Sequence, residues 1–134
     1  MVRSFKPATD AQFLYSQINE DSTANRHTDS FTSNNDIAGA TARSFNDTGN
    51  PIGAQQDNGT DTAISIVDYY DYTNTATWRI GFIWSVGNNA TTPTSANLML
   101  RVLSYNQTNA ITSLKLYPGS GNFTSGTAYL YGVK

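Results

Sequence analysis

Catalysis and metal binding need acids, bases, nucleophiles or soft ligands, and this 134-residue chain holds few of them. The single histidine, His27, lies in the polar run Asn25-Arg26-His27-Thr28 and reads as a surface residue. Spacing alone leaves a Ser-His-Asp set through His27 open, but no serine is framed as a nucleophile elbow. The ten carboxylates are Asp10, Glu20, Asp21, Asp29, Asp36, Asp47, Asp57, Asp61, Asp68 and Asp71. Glycoside hydrolysis needs two of them facing each other about 5–10 Å apart. Asp68 and Asp71 flank Tyr69-Tyr70 on an expected strand, so they point to opposite faces and read as solvated strand ends. The oxygen-rich run Asp57-Asn58-Gly59-Thr60-Asp61 has the donors of a calcium loop but no bidentate Glu after it, and it reads as an Asn-Gly turn. Cysteine is absent, which removes disulfides and thiolate metal sites. The expectation is a protein that is not an enzyme, with no cofactor and no metal.

Aromatic side chains supply the other binding chemistry, because an amphipathic ring can stack on a sugar face or anchor a protein contact. Tyr69, Tyr70, Tyr72, Trp78 and Trp84 are the candidates for a sugar platform. Even spacing assigns Trp78 and Trp84 to the core. Tyr69 and Tyr70 are strand neighbours that must face opposite sides, which leaves one exposed. Phe5, Phe13 and Tyr15 join them as candidate contacts to a partner or glycan, because they fall in an expected arm. Five Asn-x-Ser/Thr sequons, at Asn46, Asn58, Asn89, Asn106 and Asn122, follow from a composition rich in Asn and Thr.

The elements that position these residues are strands. Ser, Thr and Asn make up about a third of the chain, Glu occurs once, and good helix formers are scarce, which is an all-β composition. Only 13% of residues are charged and the net charge is −2, against the basic patch of a nucleic-acid binder. No apolar run is long enough for a membrane helix, and Met1-Val2-Arg3-Ser4-Phe5-Lys6 does not open a secretory signal, so no membrane partner is expected.

Residues 1–60 are weakly patterned. Asp10 could cap a helix over 10–18 that places Phe13, Leu14 and Ile18 on one side. Residues 1–35 read as a partly extended N-terminal arm, and 36–134 as one β-sandwich domain. Ile64, Ile66, Tyr70 and Tyr72 alternate over 62–73. Trp78, Ile80, Phe82 and Trp84 alternate with Thr77, Arg79, Gly81, Ile83 and Ser85, the strongest period-2 signal in the chain. Ala96–Tyr105 reads as a buried strand carrying Leu98, Met99, Leu100, Val102 and Leu103 on both faces. Further strands are expected over Thr112–Tyr117 and Thr127–Val133, with turn chemistry at 73–75, 87–89, 106–109 and 118–126 between runs. Strands at this spacing imply a sandwich or barrel.

The closing stretch runs Ala110-Ile111-Thr112-Ser113-Leu114-Lys115-Leu116-Tyr117-Pro118, Gly119-Ser120-Gly121-Asn122-Phe123-Thr124-Ser125-Gly126-Thr127 and Ala128-Tyr129-Leu130-Tyr131-Gly132-Val133-Lys134. With Tyr72-Thr73-Asn74-Thr75, it resembles the C-terminal signature of a family of bacteriophage virion proteins with jelly-roll domains, found on head decorations, head fibres and tail-fibre tips. The resemblance covers about 64–134. It implies a jelly-roll-like antiparallel β-sandwich, a homotrimer using one sheet against its neighbours, and a place in the virion. Leu116 and Leu130 are expected in the core, with Tyr129 and Tyr131 on the face opposite Leu130. A chain that opens at Met1 with a short arm, and not a long shaft, favours the head. The implied function is capsid decoration (cement) on the major capsid protein. The alternative is a tail-fibre or appendage tip binding a host surface glycan.

Overall fold

The computed structural model describes residues 1–24, 26–34, 37–47, 49–59, 63–88 and 96–132, with the backbone alone over 26–34 and 37–47. Among them no helix forms, and ten strands follow one another: β1 Val2–Pro7, β2 Leu14–Ile18, β3 Arg26–Asn34, β4 Ile37–Asp47, β5 Asn50–Pro51, β6 Ile64–Tyr70, β7 Arg79–Asn88, β8 Ala96–Tyr105, β9 Leu114–Pro118 and β10 Phe123–Ala128. They pair antiparallel into two sheets packed as a sandwich. The larger has the order β10-β1-β6-β7-β8-β3-β4 and the smaller β5-β2-β9. The all-β sandwich expected from composition is therefore present. Its seven and three strands differ from the eight-stranded double Greek key of a jelly roll.

The strands within the stretch expected as an arm belong to the two sheets. β1 sits inside the large sheet between β10 and β6, and β2 is the central strand of the small one. Val2, Phe5, Leu14 and Ile18 are buried, with Leu14 and Ile18 fully enclosed. The weak pattern has a local cause in β1. Ser4 has a positive φ of 50° and the register with β10 slips between Arg3 and Lys6, so the alternation resets and Val2, Phe5 and Pro7 all turn inward. The helix that Asp10 could cap over 10–18 does not form, and Leu14–Ile18 is the strand β2. Leu14 and Ile18 lie four apart, a spacing that suits one helix face or one strand face. Pairing of all five β2 residues with β9, from Leu14 opposite Pro118 to Ile18 opposite Leu114, selects the strand.

Asn19 ends β2 with a positive φ of 53° and ties the small sheet to the segment before β9. Its Nδ2 donates to the Ala110 carbonyl at 2.8 Å, and its Oδ1 accepts from the amides of Thr112 and Ser113 at 2.8 and 3.2 Å. Asn is one of the few non-glycine residues that tolerates this backbone conformation.

The core lies between the sheets: Val2, Phe5, Leu14, Ile52, Ala54, Ala63, Ile83, Met99 and Leu103, flanked by Val67, Tyr69 and Leu116. Leu116 meets the expectation of a packed residue. Leu130 does not, being 84% exposed beyond the end of β10. The last strand also falls earlier than expected, at Phe123–Ala128, because it pairs with β1. Leu103→Ala is accordingly expected to cost about 2–5 kcal/mol in urea or guanidinium unfolding, whereas Leu130→Ala stays within about 0.5 kcal/mol of the parent chain.

Candidate docking face

Strands β6, β7 and β8 form a continuous antiparallel meander in the middle of the large sheet. Their register stacks the side chains in rows. Trp84 lies between Ile66 and Leu100, Val86 between Ile64 and Leu98, Phe82 between Asp68 and Val102, and Ile80 between Tyr70 and Ser104. These rows point away from the sandwich. Trp84 is 59% exposed, and Trp78, Ile80, Tyr70, Phe82, Val86, Ile66, Ile64 and Val102 are exposed with it. The core assignment of Trp78 and Trp84 is thus corrected: the alternation is as expected, and the face is inverted.

The inversion has a steric cause. The inward residues of β7 are Arg79, Gly81, Ile83, Ser85 and Gly87. A Cβ on Gly81 would lie 2.7 Å from the Asp68 carbonyl oxygen and 3.2 Å from the Leu103 side chain. One on Gly87 would lie 2.7 Å from the Gln55 carbonyl oxygen. Between them, the Ser85 hydroxyl donates to the Ile64 carbonyl at 3.0 Å and accepts from the Ala54 amide at 2.7 Å. It also shares a 2.8 Å hydrogen bond with the Ser65 hydroxyl. Backbone from the 52–56 segment therefore presses on the inner side of β7, and no tryptophan fits there. At the strand's start the fully buried Arg79 guanidinium donates to the carbonyls of Thr77 and Thr108.

The resulting face is broad and carries little charge, with the exposed Arg3 of β1 bordering it opposite Ile64. Among the outward residues of β6, β7 and β8 the one ionisable acid is Asp68, beside Phe82, and no Lys or Arg is present. The Tyr70 and Phe82 rings meet edge to face at 5.8 Å. The exposed apolar side chains leave on the order of 700 Å² open, above the roughly 300–600 Å² of the largest patch on a typical monomer and near the roughly 800 Å² per partner of a standard interface.

The five contact residues expected from sequence do not meet at one place. Tyr70 belongs to the exposed face. Tyr69 turns inward, where its hydroxyl and that of Ser16 on β2 share a 2.9 Å hydrogen bond that bridges the two sheets. Phe5 is buried edge to face against Phe123 at 6.1 Å, so it is a core residue and cannot meet a partner. Phe13 and Tyr15 are half-buried around the small sheet, 6.5 Å apart. Tyr15 stacks on Tyr117 at 5.6 Å, and the Lys115 ammonium lies 5.8 Å from the Tyr117 ring centre. Past β10, Tyr129 and Tyr131 stack at 6.4 Å and are exposed.

Among the described residues no three of His, Asp and Glu come together as a metal-binding group. Asp57 is buried and accepts from the Gly59 amide, as in an Asx turn; Thr60 and Asp61 of that run, the His27 side chain and residues 89–95 lie outside the described residues. No protein-family model, curated protein or solved structure matches the chain.

The residues missed from sequence are the row Ile66, Trp84 and Leu100 with its neighbours. The signal for them was the opposite face of the same strand, where glycine and serine mark close backbone approach. Gly81→Ala is therefore expected to destabilise by about 1–3 kcal/mol, by overpacking. Trp84→Ala, which a core tryptophan would make costly, is expected to change the unfolding free energy of dilute protein by less than about 1 kcal/mol. Denaturant titrations of the two variants check the assignment of faces.

Proposed function

We propose that this chain is a non-enzymatic structural protein of a bacteriophage virion: a capsid decoration, or cement, protein that binds and stabilises the major capsid protein shell as a homotrimer on the head. The observation that carries this reading is the wide apolar face of β6, β7 and β8, which has the area and composition of a protein–protein contact. The resemblance of 110–134 to the phage virion signature supplies the setting.

A second reading, an appendage-tip adhesin for a host glycan, is favoured by the aromatic side of the small sheet. There Phe13, Tyr15 and Tyr117 lie close together with Lys115 beside them, a group that could stack against a sugar.

Cryo-electron microscopy of the intact particle tests the first reading. Density for the sandwich is expected on the head, at three-fold or quasi-three-fold positions. Density confined to tail appendages would overturn it. The adhesin reading instead expects saturable binding of the protein to host surface glycans, reduced at least tenfold by Tyr15→Ala, in a binding isotherm.

A further inference from the structure

We propose that Asn58-Gly59 is a self-modifying site, at which the Gly59 backbone nitrogen closes on the Asn58 side chain while the Asp57 carboxylate takes the proton. The product is an aspartate or isoaspartate at position 58.

Asn58 is the one asparagine in the chain that is followed by glycine. A residue without a Cβ leaves its backbone nitrogen unhindered for attack on the preceding side chain. Asn58 and Gly59 are both exposed, directly after the buried Asp57. Among the described residues, a Cβ built on Gly59 would meet only the Asp57 carboxyl group, with Oδ1 at 3.1 Å, so the approach is open.

The Asn58 amide is also loosely held. Its Nδ2 donates to the Ala8 carbonyl at 3.4 Å, longer than an ordinary N–H···O bond. Other asparagines are pinned. Asn74 donates from Nδ2 to Asp71 at 2.6 Å and to Thr77 at 3.0 Å, and its Oδ1 accepts from the Ala76 amide at 2.6 Å. Asn19 is fixed by its bonds to Ala110, Thr112 and Ser113. Asn50 precedes Pro51, whose nitrogen carries no hydrogen to give up.

A base stands at the reacting nitrogen. The Gly59 amide donates to Asp57 Oδ1 at 2.5 Å. Asp57 is 8% exposed, and its own amide is tied to the Asn88 carbonyl at 2.7 Å, which holds the carboxylate on that hydrogen. A positioned carboxylate in hydrogen-bond reach of the proton it must remove is the geometry of a general base.

The Gly59 nitrogen bonds to Asn58 Cγ as its proton passes to Asp57 Oδ1. Asp57 returns that proton to Nδ2, the Cγ–Nδ2 bond breaks, and ammonia leaves. Water then opens the cyclic imide at Cγ, giving aspartate, or at the main-chain carbonyl, giving isoaspartate. Either product adds a negative charge to a chain of net −2 and removes the donor that faces Ala8. Isoaspartate also lengthens the main chain beside Asp57, which is bonded to the end of β7.

The test is incubation of the purified full chain at neutral pH, followed by digestion and tandem mass spectrometry that separates aspartate from isoaspartate. The parent chain is expected to exchange NH2 for OH at position 58 and to yield both products, while Asn19 and Asn74 stay intact. In Asp57→Asn the side-chain oxygen still accepts the Gly59 amide hydrogen but cannot take the proton. Conversion is expected to slow at least about tenfold in this variant, with an unchanged far-ultraviolet spectrum. If Asp57→Asn fails to fold, Asp57→Ser, which keeps a side-chain acceptor for the turn, decides. A parent chain whose Asn58 persists as long as Asn74, or a folded Asp57 variant that converts at the parental rate, would overturn the proposal.

Discussion

The contact on which this structure turns is the approach of backbone to backbone behind β7. The 52–56 segment runs against the inner side of the strand, held by the Ala54 amide on the Ser85 hydroxyl, and Gly81 and Gly87 leave no room for a side chain. A central strand packed this closely must put its bulk on its other side. The position of the tryptophans, the breadth of the exposed face and the polarity of the Ser65–Ser85 pair beneath it all follow from that constraint.

The core compensates for a thin central layer by recruiting residues from far along the chain. Phe5 from β1 meets Phe123, the first residue of β10, and Leu14 from β2 lies against Gly53. The Tyr69 and Ser16 hydroxyls join the two sheets through a polar contact in a chain with few large aliphatic residues. The hydroxyl-rich composition is thus used inside the fold as well as on its surface, because among the described residues no buried hydroxyl lacks a partner.

The sequence was legible where a run of strand-forming residues was bounded by turn residues. Ala96–Tyr105 has the limits expected, although it is buried on one face only and Val102 on the other is exposed, and Leu116 packs as expected. It was illegible where a bulge broke the period, as at Ser4 in β1, or where five residues fitted helix and strand alike, as in β2. The candidate site failed for a different reason. Period 2 places Ile80, Phe82 and Trp84 together but does not say which side of the sheet they take. That is decided by the partner layer, which lies some thirty residues away in the chain. Only Gly81 and Gly87, local marks of a close neighbour, hinted at the answer. Tyr70 was found among the contacts because adjacent tyrosines on a strand cannot both be buried by one layer.

The pairing of β1 with β10 has a consequence for how the protein is made. The Met1 amine donates to the Tyr129 carbonyl, so the two strands that meet there are separated by almost the whole chain. The β6–β7–β8 meander needs only short-range closure and can form while synthesis continues, whereas β1 acquires its outer neighbour only when β10 has left the ribosome. For the length of that delay, the nascent chain exposes the apolar face of the meander while one edge of its sheet is still unpaired.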